Sequence, residues 1–142
     1  MENNLKKAKE LIKETNAVFA YVSEEKTLCS DQKGIGFVAN LCNQGQDLSY
    51  GCVADKIVGK AAALLFVYLG VRCVYAETLS NSAKDVFERY GVEYSFGTLT
   101  DMIVNRKGDG PCPMEKAVID ADTPEAALCA VNETLEMLRN GR

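Results

Sequence analysis

The 142-residue chain is long enough for one hydrophobic core and short for two. Its 47% hydrophobic and 25% charged content is that of a globular domain, and a net charge of -4 without a Lys/Arg tract argues against bulk nucleic-acid binding. Six cysteines beside no histidine exclude Ser-His and Cys-His dyads and every imidazole metal site. Chemistry must then run on carboxylates, Lys, Tyr, Ser/Thr, Cys or backbone groups.

The opening residues MENNLKKAKE lack an apolar signal core, and the longest apolar run, Ala61 to Leu69, is too short for a bilayer. A cytoplasmic protein without a membrane partner is expected. Leu5, Ala8, Leu11 and Ile12 recur at helical spacing, so the chain opens on a helix. Ala17 to Val22 reads as a buried strand, with Thr27 to Ser30 pairing back onto it. A short helix follows over Gly34 to Asn43, then a polar loop to Gly51.

Val53 to Gly70 reads as a single buried central helix, apolar all round after two turns and ended by Gly70. Val71 to Leu79 is β-rich. Ser80 or Ser82 caps the next helix, which ends at Gly91. A short strand covers Val92 to Phe96, and Leu99 to Val104 reads as one or two helical turns. Asp122 to Glu125 signals the start of the last helix, with a capping acceptor, an early Pro and an acid. The resulting order, α-β-β-α-α-β-α-β-α, implies one domain over 1–142, a three-layer α/β/α sandwich with a mixed sheet and a buried central helix.

Three constellations could carry chemistry. Cys52-Val53-Ala54-Asp55-Lys56 would open the central helix. The macrodipole explains Asp55 there but not Lys56, which fits an anionic ligand at free N–H groups. Gly59-Lys60 is not a P-loop, because Ala54 and Ala61 stand where Gly and Ser/Thr are required. Asn105 to Gly110 could form a backbone nest for a phosphate or carboxylate, although charged glycine-containing segments are mostly solvated turns. In Pro111-Cys112-Pro113-Met114-Glu115, Pro113 suits the first turn of a helix and puts Cys112 at its N-cap, where a thiolate is stabilised. The alternative is a thiol packed between two prolines. The other five cysteines read as core filler or bystanders in a reduced compartment, without the C-x-x-C of a redox pair or zinc ribbon.

The runs Val53 to Leu65, Ala76 to Ser80, Asn105-Arg106 and Cys112 to Glu115 resemble an uncharacterised prokaryotic family, the domain of unknown function DUF1893. Its members look like cytidine-deaminase-fold proteins. The resemblance implies a deaminase-like pocket at the start of the central helix, lined by Asp55, Lys56, Ser80, Asn105, Arg106, Cys112 and Glu115. In active deaminases a His or Cys, then Ala and Glu, opens that helix, and Pro-Cys-x-x-Cys opens the helix after the next strand. Here the corresponding stretches look like Val53-Ala54-Asp55 and Leu79 to Ala83, which offer no zinc ligand.

Three readings of function follow. The first is a metal-free, cofactor-free deaminase-fold protein binding a small ligand, nucleotide-like or another anion. In it Asp55 and Cys112 are the catalytic candidates, and Lys56, Ser80, Asn105, Arg106 and Glu115 bind the ligand. The second is a non-catalytic oligomeric scaffold or regulatory module. The third is an unorthodox thiolate-zinc hydrolase.

Overall fold

A hairpin and a run of β-α units build the sheet. The computed structural model describes residues 2–104, 108, 110 and 112–140. Helix α1 (Glu2–Glu14) leads into β1 (Phe19–Ser23), which turns back as β2 (Thr27–Ser30). Then follow α2 (Gly36–Asn43), β3 (Gly51–Val58), α3 (Lys60–Tyr68), β4 (Cys73–Ser80), α4 (Asn81–Tyr90), β5 (Glu93–Thr100), α5 (Pro113–Ala117) and α6 (Pro124–Asn140). The five strands lie in the order β2-β1-β3-β4-β5. β1 is antiparallel to both of its neighbours, whereas β3, β4 and β5 are parallel.

Strand alternation divides the apolar side chains between two faces. Ala20, Val22 and Ala54 pack against Ala8 and Ile12 of α1. Phe19, Tyr21, Val53, Val74 and Ala76 face the larger core, closed by α2, α3 and α4 with α6 behind. The layers are therefore helix, sheet and helices, an α/β sandwich. Helix α3 is its central member: Ala61, Ala63, Leu64, Leu65 and Phe66 are all buried. It ends as read from the sequence, at Gly70 (φ 84°), where Gly70 N–H donates to Val67 O and Val71 N–H to Phe66 O. None of the helices among the described residues is long and apolar enough to cross a membrane.

The expected single helix over Val53 to Gly70 is instead two elements, β3 and α3, hinged at Gly59. Gly51 to Val58 contains β-branched Val53, Ile57 and Val58, and it gains hydrogen-bonding neighbours on both sides, β1 and β4. Tertiary pairing thus overrides the helical reading, which came from the Ala-rich stretch that follows. The turns expected over Leu99 to Val104 are also absent: Leu99 and Thr100 finish β5 and the next residues are irregular. The order becomes α-β-β-α-β-α-β-α-β-α-α. At α6 the capping hydroxyl belongs to Thr123, which accepts from Ala126 N–H at 3.1 Å.

Candidate functional site

The carboxyl ends of β3 and β4 pass directly into α3 and α4, so free helix N–H groups converge there. The first two of α3 are occupied. Lys60 N–H donates to Oε1 of Glu115 at 2.8 Å and Ala61 N–H to Oε2 at 3.0 Å. Gly59 admits this carboxylate: a Cβ there would sit 2.5 Å from Cδ and Oε1 of Glu115. The Lys60 ammonium donates to Ile119 O at 2.9 Å, tying α3 to the end of the α5 segment. Glu115, expected to hold a ligand, therefore caps the central helix.

Cys112 is the N-cap of α5 with Pro113 in its first turn, as the sequence implied. It is half-buried and packs against the large core. Its N–H donates to Ile103 O and its carbonyl accepts from Glu115 N–H at 3.0 Å. The thiol makes no capping bond. Ser80 is fully buried and caps α4, accepting from Ala83 N–H at 3.1 Å with Ser82 Oγ also at 3.1 Å. Asn81 donates to Asp101 at 2.9 Å, tying the first residue of α4 to the residue after β5. We expect Ser80→Ala to lose about 1 kcal/mol of stability in urea unfolding, because it removes one cap and strands a helix N–H.

Asp55 is not at a helix start. It lies within β3, in register with Phe19 of β1 and Ala76 of β4, and so shares their face, the large-core side. Lys56, next along the strand, points to the other face. The two cannot act on one ligand as a helix start would have allowed, and Cys52 likewise belongs to the strand. Asp55 is half-buried, and desolvation pushes its carboxyl up to about 8, against the opposing help of the Ile57 and Lys56 N–H groups. Its hydrogen bond from Ile57 N–H is long, 3.4 Å. Among the described residues no cation pairs with it. At neutral pH the group carries its proton and can donate a hydrogen bond.

An open cleft of ≈ 440 Å³ lies at this same end of the sheet, where β1 begins and β2 finishes. Thr15, Asn16, Cys29, Ser30, Gln32 and Phe37 are among its lining residues. The Phe37 ring, from the start of α2, stands 5.6 Å from Phe19, the β1 neighbour of Asp55. None of the residues singled out from the sequence lines this cleft. Its only advance signal is the polar, glycine-bearing run Ser30 to Gly36 ahead of α2.

The site residues thus fall into two groups. Ser80, Cys112 and Glu115 gather around the starts of α3 and α4. Asp55 lies four residues down β3 from Gly59, about 13 Å along the strand. Asn105 and Arg106 lie outside the described residues. Cys29 and Cys129, read as core or bystanders, are exposed, whereas Cys42, Cys52 and Cys73 are buried.

The donor set does not fit a zinc centre. Ile35-Gly36-Phe37 opens α2, Gly59-Lys60-Ala61 opens α3 and Ser80-Asn81-Ser82 opens α4, with no thiol or imidazole in any of them. The described residues contain no group of three or more His, Cys, Asp or Glu side chains able to hold a metal ion.

A mixed five-stranded sheet between one helix and a helical layer, with a strand-end cleft, defines an α/β sandwich protein. The family model TM1506, a domain of unknown function (DUF1893), matches residues 7–135, and the chain belongs to this family. The crystal structure of a DUF1893 family protein (TM1506) from Thermotoga maritima is similar at a TM-score of 0.84 and 25% identity. That similarity covers 94% of this chain and 90% of the other. No curated protein matches the chain.

Proposed function

We propose that this is a deaminase-like protein without a metal centre that binds a small nucleotide-like ligand at the carboxyl end of the sheet. The observation that carries this reading is Asp55: a carboxyl without a cation among the described residues, pushed up to about 8 by burial, beside buried Phe19, whose ring partner Phe37 lines an open cleft. A neutral acid does not repel an anion. It donates to a ring nitrogen or carbonyl of a base, and the half-buried Phe37 offers a face on which that base can stack. Ser30 and Gln32 supply further polar contacts at the mouth. Asp55 is the acid/base candidate. Cys112 has a claim as nucleophile only for a ligand reaching across to α5. Arg106 is the cation proposed for ligand charge, and Asn105 is proposed to hydrogen-bond the ligand. In this reading Lys56, on the opposite face of the sheet, is not a ligand contact.

Calorimetric titration of the full chain with nucleosides and nucleoside monophosphates tests this. Binding is expected to weaken at least about tenfold in Asp55→Ala and Phe37→Ala, and in Arg106→Ala for the phosphorylated ligands only. Lys56→Ala is expected to bind as wild type does. Absence of binding to the whole panel, or unchanged affinity in Asp55→Ala and Phe37→Ala, overturns the reading.

A further inference from the structure

Strand β5 is the unpaired edge of the sheet, since β4 is its one strand neighbour among the described residues. It runs for eight residues, EYSFGTLT, without Lys or Pro, the usual devices that keep an edge from pairing. Phe96 and Leu99 are 40% and 39% exposed. Among the described residues that follow, Asp101 accepts from Asn81 and Ile103 O accepts from Cys112 N–H.

Backbone polarity along β5 is set at its start. Glu93 N–H donates to Arg72 O, and the parallel register with β4 continues to Thr100. Odd-numbered residues therefore direct their backbone groups to β4, and Tyr94, Phe96, Thr98 and Thr100 direct theirs outward. On the α4 face a ladder of rings climbs toward this edge: Phe87 to Tyr94 at 5.9 Å, then Tyr94 to Phe96 at 6.5 Å.

We propose that β5 pairs antiparallel with β5 of a second copy of this chain, about a two-fold axis at Phe96. In that register Phe96 faces Phe96 and Tyr94 faces Thr98, all of them residues with outward backbone groups. The ring ladder then runs unbroken from one Phe87 to the other, and the sheets join into one. Charge favours the arrangement. The strand's single ionised side chain, Glu93, faces Leu99 of the other copy and stays about 20 Å from the other Glu93. Two eight-residue strands and one ring row form a small interface, so the dimer is a weak one that depends on concentration.

Sedimentation equilibrium of the full chain over a concentration series, with amide exchange followed by NMR, tests the proposal. The expected result is a monomer–dimer equilibrium in which the Tyr94, Phe96 and Thr98 amides gain protection as protein concentration rises. Ser95 and Gly97, already bonded to β4, should not respond. Thr98→Pro removes an outward N–H that β4 does not use, and Phe96→Lys sets like charges opposite each other. Each should raise the dimer dissociation constant at least about tenfold. A monomer at every concentration overturns the proposal, as does a dimer in which those three amides stay unprotected. Dimerisation at wild-type affinity in both variants also overturns it. The exchange readout uses wild-type protein and decides the matter even if a variant fails to fold.

Discussion

Gly59→Ala is expected to destabilise the protein by about 2 kcal/mol, although Gly59 has an ordinary extended backbone (φ -103°) that Ala can adopt. The loss comes from space. The new methyl would occupy the position of the Glu115 carboxylate, which then swings away and leaves the Lys60 and Ala61 N–H groups without their acceptor. Two hydrogen bonds to an ionised acceptor at a helix N-terminus are worth about 2 kcal/mol together. Glu115→Ala should therefore cost about the same, by the same route. The sharper expectation is non-additivity. In a Glu115→Ala background there is no carboxylate to displace, and Gly59→Ala should then cost less than about 1 kcal/mol, the remaining preference for Gly over Ala at an N-cap. Urea unfolding of the four proteins in this cycle measures the coupling. Strict additivity would mean that Gly59 and Glu115 act independently.

The second large effect is on the pH dependence of stability. The Asp55 carboxyl titrates near 8 in the folded protein, and near 4 in an unfolded chain. Between these values the folded state binds a proton that the unfolded state has released, so stability falls as pH rises through that window. Asp55→Asn removes the titration while keeping the shape and a hydrogen-bond donor. Three pH units at about 1.4 kcal/mol each put the upper bound at about 4 kcal/mol, and solvent screening of this half-buried carboxyl brings the expected loss of wild type relative to Asp55→Asn between pH 5 and pH 8 to about 2 kcal/mol. The variant should be the more stable protein at the alkaline end. Parallel stability profiles for the two proteins would show that Asp55 is an ordinary ionised carboxylate, and would remove the donor on which the proposed ligand recognition rests.

Features set by short-range chemistry were legible in the sequence. The β1–β2 hairpin, the stops at Gly70 and Gly91, the Ser80 cap, and Cys112 before Pro113 all stand where local rules put them. Strand β3 was not legible. Its Val-Ala-Asp-Lys-Ile run is compatible with helix, and only pairing with β1 on one side and β4 on the other decides it. That misreading carried the site with it. As a helix start, Asp55 and Lys56 would flank one pocket; as strand neighbours they are separated by the sheet. The cleft was hidden for a different reason. It is assembled from the end of α1, the end of β2 and the start of α2, and no one of those segments carries a motif. Family membership was legible because it rests on runs of residues in order rather than on their conformation.

The carboxylate at the head of α3 also behaves as a tethered competitor. Held on a short helix, Glu115 presents its charge to the Lys60 and Ala61 N–H groups at an effective concentration of at least about millimolar. A free phosphate or carboxylate must outcompete an anion that never diffuses away. That point of the central helix is thereby closed to solution ions, and under the proposed function selectivity falls to the neutral acid and aromatic surface further down the sheet.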